Sequence, residues 1–67
     1  MNASDLSARL KGLLSIRAVL QRGGVNESSY YTAAHRGTEI SAENRSKLAD
    51  ALDATADELR AVAKTLR

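Results

Sequence analysis

The stretch from Ile16 to Gly37, IRAVLQRGGVNESSYYTAAHRG, decides how we expect this chain to fold. Its first part predicts a helix, because Ile16, Val19 and Leu20 fall at positions i, i+3 and i+4 and so share one face. Gly23-Gly24 ends that helix, since glycine readily takes the left-handed conformation needed just past a helix C-terminus. The stretch therefore opens with a short amphipathic helix that stops at the paired glycines.

A second helix follows, and its two faces differ. Asn26 is placed to act as its N-cap. Tyr30, Ala33 and Ala34 share the inner face, so we expect Tyr30 to lie in the core. The opposite face carries Glu27, Ser28, Tyr31, Thr32 and His35. Two helices separated by about three residues, the second short and lined with alanine on its inner side, are the layout of a helix-turn-helix.

A further helix is predicted before this pair. Leu6, Leu10 and Leu13 or Leu14 recur at helical spacing, which indicates an amphipathic helix from about Ser4. We favour a break near residues 12–15, where Gly12 weakens a helix and Ser15 can serve as an N-cap. One long bent helix over residues 4–22 is the alternative.

Two more helices are predicted after it. Ser41 caps a run with Leu48, Ala49 and Leu52 on one face. Thr55-Ala56-Asp57-Glu58 has the pattern of a capping box, which predicts that a separate last helix begins there. Its apolar stripe consists of Leu59, Val62, Ala63 and Leu66. The sequence thus predicts an all-α, five-helix bundle that forms a single domain over residues 1–67.

Length and composition disfavour several functions. The chain has 67 residues, no cysteine and one histidine, so it lacks the ligands of a zinc site and cannot form a disulfide. No nucleophile stands at a known spacing from a base, and no glycine-rich phosphate loop follows a strand. We interpret Asp57 and Glu58 as a solvated helix face rather than a catalytic pair. We therefore expect no enzyme and no cofactor, and the short apolar runs predict a soluble, cytoplasmic protein.

Charge is distributed unevenly along the chain. Residues 9–36 carry five basic side chains and one acidic one, a net charge of +4, whereas residues 37–67 carry five basic and six acidic ones. A positive segment of this kind is expected of a protein that contacts phosphate backbones, although chance is an equally good explanation when the charges are so few. The positive segment contains the paired glycines and both tyrosines.

Two segments resemble a known family. Residues 16–37, followed by EISAENRSKLADALDATADEL over residues 39–59, resemble the lambda-repressor-like helix-turn-helix proteins, which include phage Cro proteins, phage repressors and many small bacterial regulators. The more specific match is KLADAL, a short turn and a capped helix opening with DEL. The resemblance covers about two thirds of the chain. The chain departs from the family in three ways. Leu20 stands where a small residue is usual four before the turn glycine, the glycine is doubled, and the segment between Gly24 and Gly37 is one residue longer than the common pattern.

The resemblance implies that the helix after Asn26 enters the major groove of DNA. The residues it implies at the DNA are Arg17, Arg22, Asn26, Glu27, Ser28, Ser29, Tyr31, Thr32, His35 and Arg36. Hydroxyl groups can read base edges, a glutamate can accept from cytosine, and flanking arginines can bind phosphates. Asn26 has helix capping as its alternative role, and a slip of one residue in register would exchange Tyr30 and Tyr31.

These features predict a sequence-specific transcriptional regulator that resembles a phage Cro repressor and occupies operator DNA. The alternatives are an architectural or excision-directing DNA-binding factor and a small antitoxin-like interaction module. We expect a homodimer on DNA, because one short helix reads too few base pairs to select a site in a genome. The expected dimer interface is the last helix, through Leu59, Val62, Ala63 and Leu66, with Leu66 near its symmetry mate. Part of this stripe is expected to pack on the first and fourth of the five predicted helices, and the alternative is a stripe packed entirely within one chain.

Overall fold

A computed structural model describes residues 1–67 as an all-α protein with four helices. The helices are α1 (Ala3–Leu10), α2 (Ile16–Gly23), α3 (Glu27–Arg36) and α4 (Ala42–Leu66). Each begins after a side chain that accepts a hydrogen bond from a backbone amide of the first turn, and these N-caps are Asn2, Ser15, Asn26 and Ser41. The predicted break between the first two helices is confirmed, and the residues from Lys11 to Ser15 separate them.

The prediction of five helices is wrong. Residues 42–66 form one continuous helix of 25 residues, so no helix begins at Thr55. The Thr55 hydroxyl donates to the carbonyl of Ala51 at 2.8 Å, four residues earlier, and Glu58 binds Arg22 instead of a backbone amide. Thr55 is a poor helix former but not a helix breaker, and the good helix formers on both sides allow α4 to continue through it.

The core is small and lies between α1, α2, α3 and the first half of α4. Nine side chains are buried: Ala3, Leu6, Val19, Leu20, Val25, Tyr30, Ile40, Leu48 and Ala51. α1 packs on α3, and α2 packs on α4 and on α3. Leu20, at the departure from the family pattern, is fully buried, and no buried polar side chain lacks a hydrogen-bond partner.

The doubled glycine meets two separate requirements. Gly24 has φ +69° and caps the C-terminus of α2, a conformation that glycine adopts without strain. Gly23 lies within α2, where a Cβ atom would stand 3.0 Å from the carbonyl oxygen of Lys47 and 3.4 Å from Cβ of Ala51. One glycine therefore makes the turn before α3, and the other allows α2 to approach α4 closely.

Candidate nucleic-acid interface

The inner face of α3 is anchored by Tyr30. This side chain is only 3% exposed, and its hydroxyl donates to the carbonyl of Ala3 at 2.9 Å. Because the single hydroxyl proton of Tyr30 is used there, the hydroxyl of Ser7 donates to Tyr30 at 2.7 Å. Ser4 of α1 also donates to the carbonyl of Ala34 at 3.1 Å. The expectation that Tyr30 lies in the core is confirmed, and these bonds fix which face of α3 points outward.

The outer face of α3 is a continuous polar surface. A shallow depression on it is lined by Glu27, Ser28, Tyr31, Thr32, His35 and Arg36. A neighbouring depression shares three of these residues and adds Ser29, Ala33 and Thr38. We use the name α3 outer face for Glu27, Ser28, Ser29, Tyr31, Thr32, His35 and Arg36. The structure therefore brings together the α3 side chains that the sequence singled out, and Tyr31, at 45% exposed, lies among them.

Asn26 is engaged in holding the start of α3. Its side-chain oxygen accepts from the amide of Ser29 at 2.9 Å, which satisfies one of the free amides in the first helical turn. The residue is exposed, so its amide nitrogen faces solvent without a partner within the protein. Helix capping is thus the role of Asn26 that the structure displays.

Glu27 connects α3 to α2. Its carboxylate lies 3.4 Å from Nε of Arg17 and accepts from Nε2 of Gln21 at 3.4 Å. Both contacts are at the surface, where an ion pair contributes little to stability. They nevertheless keep the one acidic side chain of the α3 outer face directed towards α2 and partly neutralise it.

Arg22 forms an ion pair that sequence reasoning missed. Nη1 donates to Oε2 of Glu58 at 2.7 Å, and Nη2 donates to Oε1 of the same carboxylate, so both nitrogens are used. Hydrogen bonds from Arg22, and then its charge, hold the pKa of Glu58 below its ordinary value, and Glu58 raises the pKa of Arg22. The two residues are 36 positions apart and only the folded chain brings them together. Arg22 is therefore less available to a phosphate than its position beside the turn suggests.

Arg36 differs from the two arginines of α2. It lies in the last turn of α3, is exposed, and has no carboxylate within 4.0 Å. Arg36 also lines both depressions of the α3 outer face, as Ser28 and Thr32 do. Its guanidinium is thus the free positive charge nearest to the exposed hydroxyl groups.

The second half of α4 leaves the bundle. Leu59, Val62 and Leu66 are 55%, 57% and 83% exposed, and Ala63 is partly exposed. The expectation that part of this stripe packs on the first and fourth predicted helices is wrong. The stripe lies on the same continuous helix as Leu48, which was assigned to the fourth predicted helix, and it extends beyond the reach of α1. The molecule is accordingly elongated, with dimensions of 44 × 22 × 17 Å.

None of the four helices has the apolar length needed to cross a lipid bilayer, and no three His, Cys, Asp or Glu side chains come together as metal ligands. Comparison of the chain with protein families, curated proteins and solved structures gives no match.

Proposed function

We propose that this protein is a sequence-specific DNA-binding regulator of transcription, of the lambda-repressor-like helix-turn-helix type, in which α3 enters the major groove. The observation that carries the proposal is the α3 outer face. It is a run of exposed hydrogen-bonding side chains on a short helix whose inner face is fixed by Tyr30. A rigid helix that presents such groups to solvent is what direct reading of base edges needs.

The side chains of this face differ in what they contribute. Ser28 and Thr32 lie one helical turn apart and offer hydroxyl groups that donate to or accept from bases, and Thr32 adds a methyl group for thymine. Tyr31 and His35 supply further hydrogen-bonding groups in the same depression. Arg36 supplies positive charge for a phosphate, which positions the helix without reading sequence.

Arg17 and Arg22 are expected to bind phosphates only when their ion pairs open. Each is bound to a carboxylate, at Glu27 and Glu58 respectively, so a phosphate must compete for it. Exposed ion pairs are weak enough for a strongly charged duplex to displace them. We expect Arg36 to contribute more to the salt dependence of DNA binding than either arginine of α2.

The proposed protein is a homodimer on DNA and acts in the bacterial cytoplasm, by occupying a site that RNA polymerase needs. The exposed stripe of Leu59, Val62, Ala63 and Leu66 supports this assignment, because a monomer rarely leaves an apolar stripe uncovered. Two copies of α3 would read two half-sites and roughly double the number of base contacts.

The test is selection of binding sites from a random DNA pool, followed by fluorescence anisotropy with the selected duplex and single-base variants of it. Ser28→Ala and Thr32→Ala should each lose about 1–3 kcal/mol of discrimination at the base pair that they contact. Ser46→Ala, an exposed serine on α4, is the matched control and should leave discrimination unchanged.

Two results would contradict the proposal. If the pool yields no preferred sequence and binding to all duplexes is equal, the protein is an architectural factor or does not recognise DNA through α3. If no duplex binds at low ionic strength, where phosphate contacts are strongest, the α3 outer face serves a protein partner instead.

A further inference from the structure

The serine and threonine hydroxyls that have no partner within the protein are gathered in one place. The chain contains seven serines and four threonines. Six of their hydroxyls take part in hydrogen bonds, namely those of Ser4, Ser7, Ser15, Ser41, Thr55 and Thr65. The other five belong to Ser28, Ser29, Thr32, Thr38 and Ser46. Four of these five line a single depression beside α3, and only Ser46 lies elsewhere, on α4.

The same depression contains a positive charge and no negative one. It is lined by Ser28, Ser29, Thr32, Ala33, Arg36 and Thr38, and we call it the hydroxyl depression. Every residue in it except Ala33 is exposed. Glu39 follows Thr38 in the chain but does not line the depression, and its carboxylate binds the amino group of Met1 at 2.9 Å. The guanidinium of Arg36 therefore stands among free hydroxyls without a carboxylate to neutralise it.

The two depressions of the α3 outer face lie on opposite sides of a row of side chains. The row repeats every four residues, lines both depressions and consists of Ser28, Thr32 and Arg36. Glu27 lies only on the side towards α2, and Ser29 lies only on the other side. These two residues are two positions apart, so they point about 160° away from each other around the helix axis. An anion is repelled by Glu27 on the first side and attracted on the second.

We propose that the hydroxyl depression binds a phosphate group of the DNA backbone. Arg36 supplies the positive charge, and the hydroxyls of Ser29 and Thr38 donate hydrogen bonds to the phosphate oxygens. Arginine and hydroxyl side chains are common ligands of DNA phosphates, and hydrogen bonds to a charged acceptor are stronger than those between neutral groups. Thr38 was not singled out in the sequence, because it lies beyond the end of α3, where helical periodicity makes no statement. The inference deepens the proposed function, on which it rests for the source of the phosphate.

This assignment orients α3 in the major groove. The groove is about 12 Å wide and a helix with its side chains is about as thick, so a helix inside it has a phosphate backbone on either side. The hydroxyl depression then faces one backbone, and Ser28 and Thr32 face the base edges between the two. A phosphate contact adds affinity for every sequence, whereas a base contact adds affinity for one. Ser29 and Thr38 should therefore differ from Ser28 and Thr32 in what their hydroxyls contribute.

Binding to duplexes of random sequence, measured by fluorescence anisotropy, tests the hydroxyl ligands. Thr38→Val and Ser29→Ala each remove one hydroxyl and should weaken binding to all duplexes about 3- to 10-fold. Neither should change the salt slope, because a hydroxyl carries no charge, whereas Arg36→Gln should lower the slope by about one unit. Ser46→Ala removes the unpaired hydroxyl outside the depression and should bind as the parent does. Parent-like affinity of both hydroxyl variants, or an altered preference among base pairs, would overturn the proposal.

Inorganic phosphate tests the same site without DNA. Phosphate added at constant ionic strength, with chloride as the reference anion, should shift the amide NMR signals of Ser29, Thr32 and Thr38 saturably in the millimolar range. Arg36→Gln should abolish these shifts. Arg45→Gln should retain them, since Arg45 is an exposed arginine of α4 that also has no carboxylate within 4.0 Å.

The titration separates failure of the site from failure of the proposed function. Equal shifts in chloride and phosphate, or shifts that persist in Arg36→Gln, would overturn the phosphate site whether or not the protein binds DNA. Saturable phosphate binding by a protein that binds no duplex would support the site and refute the proposed function.

Discussion

The hydroxyl of Tyr30 provides the sharpest test of how α3 is held. Tyr30→Phe keeps the buried ring but removes the bond to the carbonyl of Ala3 at 2.9 Å and the bond from Ser7 at 2.7 Å. A buried hydrogen bond contributes about 0.5–1.5 kcal/mol net, so the loss of two should lower the free energy of unfolding by about 1–2 kcal/mol. For a domain of this size such a change lowers the Tm by about 7–14 °C.

Thermal and urea unfolding followed by circular dichroism measure this effect. The matched control is Tyr31→Phe, because Tyr31 is 45% exposed and its hydroxyl has no partner within the protein. We expect the control to unfold within about 0.5 kcal/mol of the parent, as surface substitutions usually do. Equal stabilities of the two variants would refute the argument that the Tyr30 hydroxyl fastens α3 to α1.

Glu58→Gln should free Arg22 to bind phosphates, so binding to random DNA should tighten and its salt slope should become steeper by about one unit. The control Asp53→Asn removes the same charge elsewhere on α4 and should not change the slope. The same pair predicts a pH effect. The pKa of Glu58 is lowered on folding, so its contribution to stability is present above the ordinary value of 4.5 and is lost as the pH falls through the lower folded value. Glu58→Gln should therefore show a smaller loss of Tm on acidification than the parent. Gly23→Ala should destabilise the protein by about 1 kcal/mol despite the higher helix propensity of alanine, because its Cβ would crowd the carbonyl of Lys47. Gly24→Asn should be tolerated better than Gly23→Asn in the same unfolding assay, since asparagine accepts the left-handed conformation but not the close contact.

Local sequence patterns were sufficient to predict the first three helices, but they were insufficient to predict the extent of α4. Ser15, Asn26 and Gly24 act on backbone groups within a few residues of themselves, so their roles as caps can be read from the sequence. The pattern from Thr55 to Glu58 also has the form of a cap, yet Glu58 is drawn to Arg22 of α2, which no local rule can foresee. A capping box marks where a helix can start, and it does not prevent an existing helix from passing through.

The candidate site shows the same division. Helical periodicity was enough to assign Tyr30 to the core and the α3 outer face to the surface, because both follow from the 3.6-residue repeat. Periodicity carries no information about which surface charges are already paired. Arg17 and Arg22 looked equivalent to Arg36 in the sequence, and only the packing of α2 against α3 and α4 distinguishes them.

The fold assigns different mechanical roles to its two ends. α3 is fastened to α1 through Tyr30 and Ser4 and is linked to α2 through Glu27, so its outer face is held by the body of the protein. α4 is joined to that body mainly through α2, and its second half projects from the body with its stripe of leucine and valine exposed. If the proposed function is correct, a substitution on the projecting half should alter association without disturbing the surface of α3. A substitution on the α3 outer face should alter DNA recognition without disturbing association. In the proposed function, a chain of 67 residues thus combines two independent binding surfaces around a core of nine buried side chains.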